Sequence, residues 1–321
     1  MADHIYLVTG SMGCIGAWVL YHLTQRKDRV VSFDISENRQ RLNLLLDERE
    51  QTQIIFERGD LTRHEQLEQT LHQYNVTHVI HLGALQVPFC RANPILGAQV
   101  NVIGTLNIFE AARKQGLTHI VYASSVAVYG NPDEYAPGLI QHDARLNPHT
   151  LYGGYKQCNE QNARMYAHDY DVNSTALRPY IVYGVGRDQG MTSDPTKAMF
   201  AAAAGQPYHI KFGGVSQLQL ASDVAQQFIE AVDYPLEGAH VFNLGGEPVS
   251  MEAVVSAIQG VVPGAAITYD TPPLPFPAGF DDRSLRKALP YVDHTPIKEG
   301  IRRTIEHFKH GLANGGLQYI T

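Results

Sequence analysis

The chain has 321 residues, of which 44% are hydrophobic, and a formal net charge of −7 with a sequence pI of about 6.1. This length suits one large domain or two modest ones, and the apolar content excludes general disorder. No long basic run is present, so the charge argues against nucleic-acid and acidic-membrane binding. Three cysteines without a CxxC pair suit a reducing cytoplasm better than a disulfide scaffold.

The sequence shows no targeting pattern. The opening stretch MADHIYLVTG enters an apolar run at once and lacks the basic, apolar and small-residue order of a secretory signal. No apolar stretch reaches the length that we expect of a bilayer-spanning helix. We therefore expect a cytoplasmic protein without a membrane partner.

Short β-branched apolar runs alternate with helix-like segments through the first half of the chain. The alternation of fully apolar strands with helices predicts a parallel sheet that is covered on both faces. The last of these helices has Asn93 as a candidate N-cap, Pro94 as its first residue and Gly116 after its basic end. The predicted strands cover 5–10, 29–34, 53–60, 77–84 and 118–125, and the predicted helices cover 15–26, 65–74 and 94–115.

The second half of the chain continues with a predicted helix over 148–171, a strand over 174–184 and a polar loop over 184–197. Shorter strands and helices follow, and they predict a smaller C-terminal α/β lobe. We expect a first domain over residues 1–184 and this second lobe over 185–321. The boundary is soft, because later strands can return to the first sheet.

A glycine-rich turn follows the first predicted strand. VTGSMGCIG places Gly10, Gly13 and Gly16 where a backbone without side chains lets a pyrophosphate approach, at the N–H groups of a helix start. Asp34 ends the second strand, where a carboxylate accepts hydrogen bonds from an adenosine ribose and repels a ribose phosphate. The pattern predicts a doubly wound parallel sheet of the Rossmann type that binds NAD in preference to NADP.

Other residues bear on the cofactor and on metals. Arg39 and Arg41 lie close to Asp34 in sequence and keep NADP open. The histidines His78 and His81 are interpreted as structural, because the chain has no HExxH motif and no ligand cluster, and we predict no metal. Residues at the ends of the third and fourth strands, in GDLT and HLGA, are further cofactor candidates: Asp60, Leu61, Gly83 and Ala84.

Read in order, these elements resemble the extended short-chain dehydrogenases/reductases, in the NAD-dependent epimerase/dehydratase group that includes nucleotide-sugar epimerases. The resemblance covers roughly the whole chain and is strongest up to about residue 190. The matching stretches are TGSMGCIG (9–16), Asp34, GDLT (59–62), HLGA (81–84), NVIGTLNIFEAAR (101–113), YASSVAVYG (122–130), the pair Tyr152/Lys156 and LRPYIVYG (177–184).

The resemblance implies a catalytic set for hydride transfer. It implies that Tyr152 is the acid/base, and that Ser125 holds the reacting oxygen. It also implies that Lys156, four residues after Tyr152 on the same helix face, lowers the phenol's pKa and binds the nicotinamide ribose. Ser124 is the alternative to Ser125, with cofactor contact or a structural role as its expected function. Tyr155 is assigned to packing.

The resemblance also implies the surrounding contacts. Asn101 supports the active site from the fourth helix, and the capping of local backbone is its other interpretation. The expected substrate contacts are Gln86, Ser125, Tyr152 and Arg187. The expected cofactor contacts are Gly10, Met12, Gly13, Cys14, Ile15, Gly16, Asp34, Ile35, Asp60, Leu61, Leu82, Gly83, Ala84, Asn101, Ser124, Tyr152, Lys156, Tyr180 and Val182.

Two positions depart from the pattern of the nucleotide-sugar epimerases. Ile181 stands where these enzymes usually carry an asparagine, and Ser216 stands where they usually carry a diphosphate-binding arginine. Arg187 is the best remaining anion-binding residue, with a surface loop arginine as the alternative interpretation. The sequence therefore predicts an NAD-dependent epimerase or dehydrogenase acting on a secondary alcohol of a small carbohydrate or sugar acid.

Other functions stay open beside this hypothesis. A nucleotide-sugar epimerase and a non-catalytic NAD-sensing protein are the alternatives, although a sensor needs no catalytic set. Dehydration is disfavoured, because Val126 and Ala127 stand where family dehydratases carry acidic residues. By resemblance we expect a homodimer that pairs through the helices after the fourth and fifth strands. The apolar spacing that suits this interface, or equally packing on the sheet, is that of Ile103, Leu106, Phe109 and Ala112.

Overall fold

The computed structural model describes residues 4–317. A π-helical segment, Gln99–Ile103, joins the helices Pro94–Ala98 and Gly104–Gln115. The strands are β1 (Ile5–Thr9), β2 (Arg29–Asp34), β3 (Ile54–Arg58), β4 (His78–His81), β5 (His119–Ala123), β6 (Asn173–Arg178), β7 (Ile181–Tyr183), β8 (Tyr208–Ile210), β9 (Val215–Leu220), β10 (Ala239–Asn243), β11 (Pro248–Ser250) and β12 (Ile267–Tyr269). The helices are α1 (Cys14–Gln25), α2 (Gln40–Asn43), α3 (Glu48–Gln51), α4 (His64–Gln73), α5 (Val87–Ala92), α6 (Pro94–Ala98), α7 (Gly104–Gln115), α8 (Leu151–Tyr170), α9 (Asp194–Ala203), α10 (Ala221–Asp233), α11 (Met251–Val261), α12 (Arg283–Ala288) and α13 (Ile297–Ala313).

A seven-stranded parallel sheet forms the centre of the fold, in the order β10-β6-β5-β4-β1-β2-β3. Helices α1 and α10 pack on one face of the sheet, and α4, α7 and α8 pack on the other. This arrangement confirms the predicted doubly wound α/β fold. The strand order reverses between β1 and β4, and ligands of such sheets bind outside the carboxyl ends of the strands at this point.

The predicted single strand over 174–184 is wrong. Strand β6 ends at Arg178 in the central sheet, and β7 starts at Ile181 in a separate three-stranded sheet of order β11-β9-β7. Pro179 lies between them, and a proline has no N–H group with which to continue a hydrogen-bonded ladder. Strands β9 and β11 were not predicted from the sequence. The polar loop predicted over 184–197 is shorter in the structure, because α9 begins at Asp194.

The C-terminal part of the chain contributes to both regions. Strand β10 pairs with β6, with Val241 opposite Ala176, so the central sheet takes its edge strand from beyond residue 184. A second hydrophobic core lies among α9, α11, α13 and the small sheets, with Ile301 and Ile305 fully buried. These elements form a second lobe with a core of its own.

The predicted helix over 94–115 is interrupted by the π-helical segment. By length and composition alone, Pro94–Gln115 is apolar enough to cross a membrane, and 44% of its most apolar window is buried inside the protein. Phe109 and Ala112 are fully buried against the sheet, whereas Ile103 is 47% exposed. The segment therefore serves as a core helix of this fold, and three of the four residues suggested for a dimer interface, Leu106, Phe109 and Ala112, pack against the sheet.

The first turn of the sheet requires glycine at two positions. Gly10 has a φ of 66°, and a Cβ atom there would lie 2.5 Å from the backbone nitrogen of Gly83. A Cβ atom on Gly16 would lie 2.4 Å from the carbonyl oxygen of Gly10. The loops after β1 and β4 thus meet backbone to backbone, which leaves an open cradle at the start of α1.

We predict that Gly16→Ala destabilises the protein by about 1–3 kcal/mol, because the new methyl group overpacks the turn. Gly260→Ala is the matched control: it lies within α11 with no atom within 4 Å of its Cβ position. There the same substitution should stabilise by about 0.5–1 kcal/mol through helix propensity. Urea unfolding of both variants measures the two signs, and equal effects would contradict this account of the turn.

Candidate active site

A cavity of about 630 Å³ lies at the carboxyl edge of the central sheet. Its walls come from the loops after the first six strands and from the segment between β7 and α9. Gly13 and Asp34 lie at one end, and Tyr152 and Arg187 line the other. Every residue expected to contact the cofactor or the substrate lines this cavity, with the exceptions of Met12 and Asn101.

Met12 and Asn101 act through their neighbours. The backbone N–H of Met12 donates to the Asp34 carboxylate over 2.9 Å, while its side chain is buried. The Asn101 amide bonds both backbone groups of Leu85, with distances of 2.7 and 2.9 Å. Asn101 therefore fixes the loop after β4 that carries Gly83 into the cavity, which corresponds to the backbone-capping interpretation.

Asp34 presents its carboxylate at the end of the cavity that also holds Gly13, where we expect an adenosine ribose to bind. We call this the adenosine end. Both carboxylate oxygens accept backbone N–H bonds, and neither nearby arginine contacts them. The Arg39 guanidinium lies 3.5 Å above the ring centre of Phe56. Arg41 bonds Asp188 over 2.7 Å. With both arginines held by other partners, the charge that faces a ribose here is negative, which favours NAD.

Helix α8 places the catalytic candidates. The Thr150 hydroxyl caps its first turn by accepting from the Gly153 N–H over 3.0 Å. Lys156 is 2% exposed, and its ammonium donates to the Ala123 carbonyl over 2.6 Å. The same ammonium lies 5.7 Å from the ring centre of Tyr152. The two side chains therefore share one face of the helix, one turn apart, at the end of β5.

The two serines after β5 have different partners. The Ser124 hydroxyl donates to the Glu160 carboxylate over 2.5 Å, deep in the core. The Ser125 oxygen accepts from the Ala127 N–H over 3.1 Å, and the nearby Ser125 hydroxyl acts to lower the pKa of the Tyr152 phenol. Ser124 is thus committed to the core, and Ser125 is the serine that stands beside Tyr152.

The charges around the phenol differ from the expectation. Burial raises the pKa of Tyr152 to about 12, against the opposing effects of the Ser125 hydrogen bond and the Arg187 charge. Burial also lowers the pKa of Lys156 to about 8. The expected lowering of the Tyr152 pKa by Lys156 is therefore not found among the protein's own groups. The ammonium is directed at the Ala123 carbonyl instead of the phenol oxygen.

Among the described residues that line the cavity, Arg187 is a cation without a carboxylate partner in the protein. Its Nη2 donates to the Thr192 hydroxyl over 3.3 Å, and its Nε is buried without an acceptor. The other two cations of the described cavity wall have acceptors in the protein, a carboxylate for Arg41 and a carbonyl for Lys156. A guanidinium without a counter-ion in such a wall is suited to a carboxylate or phosphate ligand.

The histidines belong to the scaffold. His81 is buried between the hydroxyls of Thr9 and Thr105, at 2.6 and 3.1 Å, and burial lowers its pKa to about 3. Within residues 4–317, no group of three or more His, Cys, Asp or Glu side chains is placed to hold a metal ion.

Sequence reasoning missed part of the cavity wall. Asp188, Thr192 and Phe276 line it and had not been proposed. The charge of Asp188, directly after Arg187, was the one visible signal. Phe276 reaches the cavity from the C-terminal lobe, in an irregular segment without a periodic pattern to identify it.

Comparison with known proteins identifies the family. The model of the NAD dependent epimerase/dehydratase family matches residues 6–245. The chain belongs to this family. NAD is its cofactor, which confirms the prediction from the glycine turn and Asp34, and the residues of the cavity's adenosine end fit that group.

Similar proteins cover nearly the whole chain. A UDP-glucose 4-epimerase of Mycolicibacterium smegmatis is 28% identical over 319 residues, covering 95% of this chain and 98% of the relative. The structure of a Thermus thermophilus UDP-glucose 4-epimerase with NAD is 26% identical, with a TM-score of 0.79 and coverages of 95% and 99%. A monomeric L-threonine 3-dehydrogenase from a metagenome shares the fold at 22% identity, with a TM-score of 0.83 and the same coverages. The protein is thus an NAD-dependent enzyme of the epimerase/dehydratase family.

We predict opposite consequences for the two serines. Ser125→Ala should lower kcat/KM about 10²-fold without a loss of stability, because it removes a hydrogen bond to the reacting oxygen. Ser124→Ala should cost about 1–3 kcal/mol of stability, because it leaves the buried Glu160 carboxylate short of a donor. Steady-state kinetics and thermal unfolding of both variants separate the roles, and a catalytic loss confined to Ser124→Ala would reverse the assignment.

The buried ammonium predicts a pH-dependent stability. The pKa of Lys156 is lowered from 10.5 to about 8, so between these pH values the unfolded chain binds the proton and the folded protein does not. Stability from this group therefore rises with pH, and wild type should gain about 3 kcal/mol relative to Lys156→Met between pH 7 and pH 11. Unfolding titrations measure the difference. Lys298→Met, at an exposed lysine, is the matched control, and a pH-independent difference for Lys156→Met would refute the prediction.

Proposed function

We propose that the protein oxidises a secondary alcohol of a small carbohydrate or sugar acid with NAD, either as a dehydrogenase that releases the NADH or as an epimerase that returns the hydride to the resulting ketone. The observation that carries this substrate class is the free guanidinium of Arg187 at the catalytic end of the cavity. A single carboxylate matches one free guanidinium in charge. A small carbohydrate or sugar acid also suits a cavity of about 630 Å³ that must hold a dinucleotide as well.

The side chains at this end of the cavity divide the proton chemistry between them. Bound NAD supplies the acceptor for the hydride. Tyr152 takes the proton of the substrate hydroxyl, and Ser125 hydrogen-bonds the same oxygen and holds it beside the phenol. Lys156 completes the set from the next turn of α8. Because burial raises the pKa of Tyr152 to about 12, the phenolate needs more positive charge than the protein's own groups supply.

The substrate end offers little to a nucleotide diphosphate. Ile181 is fully buried and Ser216 is 3% exposed, and neither lines the cavity. A diphosphate carries more negative charge than Arg187 alone neutralises. The likeness to UDP-glucose 4-epimerases nevertheless makes a nucleotide-sugar epimerase the second candidate function.

Two further features remain predictions. A cytoplasmic location is supported by three unpaired cysteines, Cys14, Cys90 and Cys158. A homodimer is supported by exposed apolar side chains on the outer helices, among them Ile103 at 47% and Met165 at 53%.

A purely NAD-sensing role is disfavoured, because such a protein has no use for Ser125 beside Tyr152.

The substrate class is tested by incubation with NAD and a panel of uronates, aldonates, neutral sugars and a UDP-sugar. NADH absorbance and product analysis follow each reaction. Stoichiometric NADH with an acid identifies a dehydrogenase, and conversion with only catalytic NAD identifies an epimerase. Turnover of the UDP-sugar alone would contradict the proposal and establish the second candidate.

We predict that Arg187→Gln raises KM for carboxylate substrates roughly 30-fold or more, because the bound carboxylate loses its charged partner. Arg187→Lys should restore part of the affinity, since it returns the charge without the bidentate geometry. The matched control is Arg39→Gln, which removes an arginine outside the cavity wall and should leave KM unchanged. An equal rise of KM for neutral sugars would show that Arg187 has a structural role instead.

A further inference from the structure

The segment between β7 and α9, residues 184–193, forms the outer wall of the cavity and is called here the 184–193 loop. It carries three glycines with positive φ, Gly184 at 117°, Gly186 at 84° and Gly190 at 100°. Such a backbone is held in place by its contacts rather than by its own conformational preference. Arg187 and Asp188, at its centre, both line the cavity.

Hydrogen bonds from Cys14 and Trp18 on α1 and from Arg41 fasten this loop to the cofactor side of the cleft. The indole N–H of Trp18, on α1, donates to the Val185 carbonyl over 2.9 Å. Arg41 donates to the Asp188 carboxylate from Nε over 2.9 Å and from Nη2 over 2.7 Å. The third nitrogen, Nη1, donates to the Met12 carbonyl over 3.0 Å, in the glycine turn. Arg41 therefore bridges the glycine turn and the 184–193 loop across the cavity.

The stability of the fold does not account for this ion pair. The Asp188 side chain is 57% exposed and that of Arg41 is 23% exposed. Pairs with this exposure contribute roughly 0–1 kcal/mol to folding. Both residues nevertheless line the cavity that the dinucleotide must enter and leave. The neighbouring Arg39 has no such position, since it stacks on Phe56.

We propose that Arg41 and Asp188 form a clasp across the cleft that slows the release of bound NAD. While the clasp is closed, the 184–193 loop stays against α1, and Arg41 spans the gap between this loop and the glycine turn. Opening requires the loss of one partly exposed ion pair and of the Trp18–Val185 hydrogen bond, together with the movement of a glycine-containing loop. Cofactor retention is what separates an epimerase, which re-uses its NADH, from a dehydrogenase, which releases it. The clasp itself does not depend on the proposed substrate class.

The test measures cofactor release without any substrate. NADH bound to the purified protein is displaced by excess NAD, and the loss of NADH fluorescence gives the release rate. Asp188→Asn and Arg41→Gln should each release NADH about fivefold faster, and the double variant should match the singles because both remove the same Arg41–Asp188 ion pair. Arg39→Gln is the matched control and should release NADH at the wild-type rate.

Trp18 gives a second readout in the protein without cofactor, because it is the chain's single tryptophan. Its emission should shift to longer wavelength in Asp188→Asn, as the 184–193 loop leaves the indole. Asp188→Asn also keeps the Arg41 bond to Met12, so it tests the clasp even if Arg41→Gln fails to fold. Release rates within twofold of wild type would overturn the proposal. Slower release from Asp188→Asn would also overturn it, since Asp188 would then be competing with the cofactor phosphates for Arg41.

Discussion

The catalytic geometry depends on one buried ion pair. Arg178 at the end of β6 and Glu160 on α8 lie 2.7 Å apart, with side chains 2% and 0% exposed. Such a pair persists in a protein core only when its other hydrogen-bonding groups are also satisfied, and Ser124 supplies one of these bonds. Lys156 lies one helical turn before Glu160, and Tyr152 lies two turns before it. The pair therefore locks α8, the end of β5 and the end of β6 together, and the phenol's position follows from that lock.

Local patterns in the sequence predicted the cofactor half of the molecule well. The first five strands and α1 lie within a few residues of their predicted bounds, because alternating buried strands and helices leave a regular signal. The contacts that depend on distant residues were not predictable in this way. The strand over 174–184 divides between two sheets, and the bonds of Arg41 to Asp188 join residues 147 positions apart. The different partners of Ser124 and Ser125 were likewise not predictable from the sequence, because they depend on how α8 packs beside the end of β5.

The pKa values of Tyr152 and Lys156 differ from those that the sequence led us to expect. The family resemblance implied that Lys156 lowers the pKa of Tyr152. Instead, burial dominates both groups, raising the pKa of the phenol to about 12 and lowering that of the ammonium to about 8. The missing positive charge is one that oxidised NAD carries on its nicotinamide ring and NADH does not. In the mechanism proposed above, the base strength of Tyr152 therefore depends on the presence and redox state of the cofactor.

This coupling is tested most directly by titrating Tyr152 in ultraviolet difference spectra, taken between wild type and Tyr152→Phe to remove the other sixteen of the 17 tyrosines. The titration is performed on the protein alone, with NAD⁺ and with NADH. The account predicts a pKa of about 12 for the protein alone, a clearly lower value with NAD⁺ and little change with NADH. The same pKa in all three states would contradict the central claim, because the cofactor's charge would then have no effect on the phenol.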